Sequence, residues 1–154
     1  MSLVPWLLFL HILGAVIAFG PGFAFAFFGA AAGREPQHVN FTLRTMKFIA
    51  DRMVTPLAIL QGVTGVGLIL AEGIDLFNAK WLLLGILLYA AALYIALGLN
   101  LPNLRRLIEL TSTPPGPGGP PPELLKRIAR SRQYGSAMGG LVAVIVFLMV
   151  VKPF

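Results

Sequence analysis

The hydrophobic residues of the chain are grouped in four long stretches that contain no Asp, Glu, Lys or Arg. A helix needs about 20 consecutive apolar residues to cross the hydrocarbon core of a bilayer. The charge-free stretches cover residues 3–33, 53–71, 81–104 and 133–151. We therefore predict an all-α membrane protein in which four transmembrane helices form a single bundle and a single domain. The predicted helices are at about 3–33, 45–72, 79–110 and 123–152.

The composition supports this prediction and excludes other classes of protein. Of the 154 residues, 57% are hydrophobic and 12% are charged, whereas soluble domains carry about 25% charged residues. Such a chain has too few polar side chains to cover a soluble enzyme, and it is too apolar to be disordered. It has no cysteine, which excludes disulfide frameworks and thiolate metal sites. The net charge of +6 indicates membrane orientation rather than nucleic-acid binding.

The positive charges are distributed unevenly between the predicted helices. Residues 34–52 contain four Lys or Arg and residues 105–132 contain six, but residues 72–80 contain only one. Loops rich in Lys and Arg remain in the cytoplasm. The first and third loops are therefore predicted to be cytoplasmic, with both termini outside. Trp6 and Trp81 would then lie together at the outer interface. We expect the protein to be a multi-pass protein of a bacterial inner membrane.

The third loop, at 111–122, is rich in proline. Residues 113–122 contain six of the twelve prolines of the chain, so we expect a partly extended linker rather than a helix. On either side, residues 103–110 and 123–132 are amphipathic and basic. Their basic faces are predicted to contact anionic lipid headgroups, and docking of an acidic partner is the alternative.

Small residues recur at intervals that place them on one face of a helix. Such residues let two backbones approach closely in a bilayer, where no hydrophobic force drives helices together. Pairs at four-residue spacing are Gly29 with Gly33, Gly135 with Gly139, and Ser136 with Gly140. Mixed small and polar faces comprise His11, Gly14, Ala15, Ala18 and Gly22 in the first helix, and Asp51, Thr55, Ala58, Gly62 and Gly65 in the second. We expect these faces to point into the bundle or, on the fourth helix, to contact another protomer in a homo-oligomer.

One histidine lies deep within a predicted membrane span. His11 is about eight residues into the first helix, which is a depth of about 12 Å at 1.5 Å per residue. Counted from the same side of the membrane, Gln61, Thr64 and Tyr89 reach a similar depth. Polar residues at such a depth are costly and normally face the bundle interior. The four side chains are therefore predicted to form one polar cluster.

This cluster admits three roles for His11. In the first, His11 has a structural role and hydrogen-bonds to Gln61 or to a backbone carbonyl. In the second, it is a ligand of a cofactor or a metal. In the third, it belongs to a proton or ion path. Because the chain has only two histidines and His38 lies in a loop, bis-histidine haem within one protomer is excluded. A five-coordinate haem, a His–Met pair with Met138 or Met149, and ligands shared between protomers stay open.

Three short segments resemble a known family. They are 9–15 (FLHILGA), Asp51 with Thr55-Pro56, and 61–65 (QGVTG). The chain resembles, over most of residues 3–110, a predicted four-helix bacterial integral-membrane family of unknown function. It is more distantly similar to copper-resistance D-like proteins and HemJ-type protoporphyrinogen oxidases. In the latter a histidine of the first helix binds haem, which implies that role for His11. The second ligand of that group has only Lys80 as a candidate here, at the membrane edge.

These observations lead to two functional hypotheses. The first is a membrane protein that binds a cofactor or a small apolar ligand, haem or quinone, beside His11, Gln61, Thr64 and Tyr89. The second is a partner subunit, or a small channel or carrier, without a cofactor. The chain contains no glycine-rich nucleotide-binding loop, no HExxH sequence and no Ser/His/Asp constellation. Whether it is an enzyme is left open.

Overall fold

Each charge-free stretch of the sequence forms helix. The computed structural model describes residues 3–113 and 119–154, and this described part contains no β-strand. In chain order the elements are α1 (Val4–Arg34), a 3₁₀ turn (Pro36–His38), α2 (Val39–Ile49), a π-helical segment (Ala50–Val54), α3 (Thr55–Glu72), α4 (Lys80–Leu93), a second π-helical segment (Tyr94–Asn100), α5 (Leu101–Leu110) and α6 (Pro122–Val151). Four spans among the described residues are long and apolar enough to cross a membrane: Val4–Arg34, Pro36–Glu72, Lys80–Leu110 and Pro122–Val151. The prediction of an all-α protein with four transmembrane helices is confirmed.

The first and second spans are joined by a very short connection. Glu35 has φ −128° and ψ 77°, outside the α region, and a residue that precedes a proline disfavours the α conformation. After one 3₁₀ turn the helix resumes at Val39, earlier than the start near residue 45 that the sequence indicated. Residues 39–47 are polar on one side only, and an amphipathic helix of this kind is easily taken for a loop in a sequence.

Two π-helical segments lie within the second and third spans, each closely followed by a proline. Pro56 is at the start of α3 and Pro102 is at the start of α5. Proline has no backbone N–H, and its ring clashes with the carbonyl four residues earlier. The wider turn of a π-helix accommodates this disturbance, so the second and third spans stay helical throughout.

The spans pack as two principal pairs, α1 with α3 and α4 with α6, and α2 contacts α5 at one end of the bundle. The buried apolar residues are Ala18, Ala32, Ala58, Leu82, Leu104, Leu107 and Leu148. Most large apolar side chains face outward instead. This is expected for helices surrounded by lipid, whose tails are as apolar as leucine.

The surroundings of the glycines show which helix faces are in close contact and which are open. A Cβ added at Gly62 would lie 3.0 Å from the Tyr89 hydroxyl, and one at Gly139 would lie 3.8 Å from the Phe23 ring. Eight glycines have no atom of the described residues within 4 Å of such a Cβ, and five of them belong to the predicted small-residue faces: Gly22, Gly29, Gly33, Gly135 and Gly140. The expected inward position is found for the glycines of α3 and for Gly139. It is not found for these five, Gly22 of the predicted inward face of the first helix among them, and their helix faces are open in the single chain.

Two buried or half-buried amides hold three spans together beside the proline-rich loop. Asn40 of α2 donates a hydrogen bond to the Ile108 carbonyl at 2.8 Å. Asn103 of α5 is only 4% exposed and donates to the Arg127 carbonyl of α6 at 3.1 Å. Each amide joins two different spans.

An ion pair closes the same end of the bundle. Arg106 donates from Nε and an Nη atom to the two carboxylate oxygens of Glu123, at 3.1 Å and 3.2 Å. Both residues lie in the helical flanks expected at 103–110 and 123–132, and those flanks are helical. Within the expected linker at 111–122, residues 114–118 lie outside the described residues.

Candidate functional site

His11 lies on the face of α1 that packs against α3. A Cβ added at Gly65 would be 3.3 Å from Cε1 of His11, and a Cβ added at Gly14 would be 3.0 Å from Oε1 of Gln61. Both distances are shorter than an ordinary van der Waals contact. The missing side chains of these two glycines therefore provide the space in which the imidazole and the amide meet.

The imidazole of His11 is hydrogen-bonded through both of its nitrogens. Oγ1 of Thr64 lies 3.1 Å from the carbonyls of Leu60 and Gln61, to either of which its single hydrogen can be donated. It therefore accepts from Nδ1 of His11, which is 2.9 Å away. Nε2 of Gln61 lies 3.0 Å from Nε2 of His11 and donates to it. In this first arrangement His11 is a neutral imidazole with its hydrogen on Nδ1.

Gln61 leaves one strong acceptor without a donor. The residue is 8% exposed, and its Oε1 receives no hydrogen bond from any residue that the structure describes. A buried amide oxygen without a donor costs about 1–3 kcal/mol, and native proteins supply partners to nearly all such atoms. The cluster can therefore accept one further hydrogen bond, on the side of the amide that faces Gly14.

The same three side chains satisfy a second arrangement of hydrogens. If the amide of Gln61 is reversed, its oxygen accepts from an Nε2–H of His11. Nδ1 then becomes the acceptor, and the hydroxyl of Thr64 donates to it. In this second arrangement the amide presents N–H groups, rather than an oxygen, on the side of Gly14. The cluster can thus offer either an acceptor or a donor at the same place.

Tyr89 does not join the other three predicted site residues through a hydrogen bond. Its hydroxyl donates to the backbone carbonyl of Ala58 and lies against Gly62, on a neighbouring part of the α3 surface. The structure therefore brings together His11, Gln61 and Thr64, and it places Tyr89 as a bridge between the third and second spans.

Metal or haem ligation by His11 requires an available nitrogen lone pair. In the first arrangement Nδ1 carries the hydrogen and the lone pair of Nε2 accepts from Gln61. In the second, Nε2 carries the hydrogen and the lone pair of Nδ1 accepts from Thr64, so no free lone pair is left in either. Across residues 3–113 and 119–154 there is no group of three or more His, Cys, Asp or Glu residues suited to a metal ion. Met149, a candidate second haem ligand, lies against Gly85 in the contact between α4 and α6. The residues present do not fit a haem or metal site unless Gln61 moves.

Sequence reasoning missed the two amides that connect the spans, Asn40 and Asn103. A signal for Asn103 exists in the sequence, because the residue precedes Leu104 on the apolar side of the amphipathic helix α5. A polar residue on the buried side of such a helix needs a hydrogen-bonding partner. Asn40 offers no comparable signal, since it lies in a segment that resembles a polar loop.

The fold and the buried polar cluster define a four-span, all-helical integral membrane protein. A family model covers residues 5–153, nearly the whole chain. The chain belongs to this family, which is described as Predicted integral membrane protein (DUF2269). No curated protein and no solved structure matches the chain. The resemblance to a four-helix family of unknown function is confirmed, whereas the more distant similarity to copper-resistance D-like and HemJ-type proteins gains no support from these comparisons.

Proposed function

We propose that the protein binds a small, largely apolar ligand of the quinone class beside His11 and Gln61, within a bacterial inner membrane. The observation that carries this proposal is the buried Oε1 of Gln61, which receives no hydrogen bond from residues 3–113 or 119–154. A hydroquinone carries hydroxyl donors on an apolar ring, and one of these hydroxyls supplies the missing hydrogen bond. In the reversed arrangement the amide of Gln61 donates to a quinone carbonyl instead. One site then suits both redox forms of the ligand.

The contacts favour a quinone over haem. Axial ligation of haem by His11 breaks the hydrogen bond from Gln61, because the iron takes the lone pair of Nε2. A hydrogen-bonded quinone leaves both bonds of His11 in place. In this proposal Gln61 contacts the ligand, while His11 and Thr64 hold the Gln61 amide in position.

The test measures the binding of a short-chain ubiquinone and of its reduced form to the full-length protein in lipid nanodiscs. Bound ligand is quantified by chromatography after removal of free ligand. We expect saturable binding to the wild type. Gln61→Leu should weaken the binding about tenfold, the effect of losing one hydrogen bond of about 1.4 kcal/mol. Gly14→Ala should also weaken it, since its Cβ would lie 3.0 Å from Oε1 and crowd the side of the amide that the ligand approaches.

Gln133→Leu is the matched control, because it makes the same chemical change at an exposed position of α6. It should bind the quinone as the wild type does. Absence of saturable binding to the wild type contradicts the proposal. An equal loss in Gln133→Leu and Gln61→Leu contradicts it as well, since the effect would then not come from the cluster.

A second candidate function, that of a subunit without a ligand whose partner is a second copy of the chain, is favoured by the open glycine faces. Gly29 and Gly33 of α1, and Gly135 and Gly140 of α6, have free space where a neighbouring helix can approach closely. Light scattering in detergent tests this function through the mass of the complex. A wild-type oligomer that dissociates in Gly140→Leu supports it, and a monomer that is unchanged by the substitution contradicts it.

We also propose that the basic ends of the third and fourth spans contact anionic lipid headgroups. Arg105, Lys126, Arg130 and Arg132 are exposed, and none of them is in an ion pair with a described residue. Each such cation near an anionic surface contributes about 1 kcal/mol. Flotation of the protein with vesicles of increasing phosphatidylglycerol content would show stronger insertion if this contact forms.

A further inference from the structure

The two hydrogen arrangements of His11, Gln61 and Thr64 contain the same hydrogens but differ in the number of hydrogen bonds. In the first, the amide of Gln61 donates to Nε2 of His11 across 3.0 Å, and Nδ1 of His11 donates to Oγ1 of Thr64 across 2.9 Å. The hydroxyl hydrogen of Thr64 then remains available for the carbonyl of Leu60 or Gln61, each 3.1 Å away. Each of the three side chains therefore donates one hydrogen bond in this arrangement.

The second arrangement has one hydrogen bond fewer. His11 donates from Nε2 to the reversed amide of Gln61, and the hydroxyl of Thr64 donates to Nδ1. A hydroxyl has a single hydrogen, so Thr64 no longer donates to a backbone carbonyl. Gln61 and Thr64 are each 8% exposed, which leaves little access for water to replace the lost bond. The ligand-free protein should therefore favour the first arrangement, in which Oε1 of Gln61 faces Gly14.

We propose that the site prefers the hydroquinone over the quinone and that Thr64, as a positioning residue, sets this preference. The inference rests on the quinone site proposed above. A hydroquinone hydroxyl donates to Oε1 of Gln61 in the arrangement that the ligand-free protein already adopts. A quinone carbonyl needs an amide N–H at the same place, so the quinone binds only to the less populated arrangement. Its apparent affinity falls in proportion to that population.

The change between the arrangements is a tautomerisation of His11. The N–H bond at Nδ1 breaks and an N–H bond at Nε2 forms, while the lone pair passes from Nε2 to Nδ1. The imidazole is neutral in both states, and the three side chains together bind the same number of protons. No group is oxidised or reduced, so the preference is a property of binding alone.

The test compares the dissociation constants of a short-chain ubiquinone and of its reduced form, measured with the full-length protein in lipid nanodiscs. The ratio of the two constants is compared between variants, because any difference in how the two ligands partition into lipid cancels in that comparison. Thr64→Val should shift the ratio by about two- to tenfold toward the quinone, the effect of one net hydrogen bond. Without the hydroxyl, both arrangements keep only the bond between His11 and Gln61, and the difference between them is lost.

Two control variants separate this effect from a general loss of stability. Thr64→Ser keeps a hydroxyl at the same position and should keep the ratio of the wild type. Thr45→Val makes the same change as Thr64→Val at an exposed position of α2 and should also keep it. A Thr64 that only stabilised the fold would weaken the binding of both ligands alike in Thr64→Val. An unchanged ratio in that variant therefore overturns the inference and leaves the quinone site standing.

The tautomer of His11 provides a second measurement that needs no change in the cluster. The chain has two histidines, so His38→Gln leaves a single imidazole for nitrogen NMR of histidine-labelled protein. The hydrogen should be on Nδ1 in the ligand-free protein and with the hydroquinone, and on Nε2 with the quinone. The same tautomer with both ligands overturns the inference, as does an Nε2–H in the ligand-free protein, even if Thr64→Val does not fold. Absence of saturable binding of either ligand contradicts the quinone site and this preference together.

Discussion

The hydrogen bond between His11 and Thr64 should be measurable as an energetic coupling between the first and second spans. Thr64→Val keeps the shape of the side chain and removes the hydroxyl that accepts from Nδ1 of His11. His11→Ala removes this bond together with the one from Gln61. Interhelical hydrogen bonds in membranes contribute about 0.6 kcal/mol on average and up to about 1.7 kcal/mol. Because Thr64 is 8% exposed and its partner is well placed at 2.9 Å, we expect a value in the upper half of this range.

The assay is a double-mutant cycle on the unfolding of the protein in mixed micelles with increasing sodium dodecyl sulfate, followed by helix circular dichroism. His11→Ala and Thr64→Val should each lower the free energy of unfolding by about 1–2 kcal/mol. The free energy of unfolding that the double variant loses should be smaller than the sum of the two single losses, by about 1.2–1.7 kcal/mol. Thr45→Val, at an exposed threonine of α2, is the control and should be additive with His11→Ala. Additivity within about 0.3 kcal/mol for the Thr64 pair would refute the interpretation that these residues bond in the membrane.

The remaining predictions concern helix contacts and topology. Gly62→Ala should destabilise the protein by about 1 kcal/mol or more, since its Cβ would lie 3.0 Å from a tyrosine hydroxyl, whereas Gly29→Ala should stabilise it by up to about 1 kcal/mol through helix propensity; unfolding in detergent compares the two. Asn103→Ala should lower the free energy of unfolding by about 1–3 kcal/mol in the same assay, because the Arg127 carbonyl then loses a buried amide donor. Cysteines introduced at Ser112 and Ile74 should label oppositely in intact cells, with only the Ile74 site reacting with an impermeant reagent; reaction at the Ser112 site alone would reverse the predicted orientation.

Part of the candidate site could be predicted because the depth of a residue in a membrane follows from counting along a helix. Counting 1.5 Å per residue from the membrane edge brings His11, Gln61 and Thr64 to one level, and the structure joins them. Depth does not give the direction of a side chain around the helix axis. Tyr89 is at a comparable level, yet its hydroxyl bonds to the Ala58 carbonyl rather than to the histidine.

The fold could be predicted at the level of its four spans but not of their contacts. Long apolar stretches define membrane helices whatever their neighbours are, which is why all four were found. The pairing of α1 with α3 depends on where glycines allow close approach, and the sequence offers more small-residue faces than the single chain uses. Gly65 packs against His11, while Gly33 and Gly140 meet nothing within 4 Å in the described chain.

The π-helical segment Ala50–Val54 fixes the angle between two attachments of the second span. Asn40 bonds to the third span on one side of this segment, and Gln61 bonds to His11 of the first span on the other side. An α-helix turns by about 100° per residue, so deleting one residue here rotates one attachment by about that angle relative to the other. Only one of the two bonds can then form. The number of residues in this segment, more than the identity of their side chains, determines whether the first and third spans can hold the second at the same time.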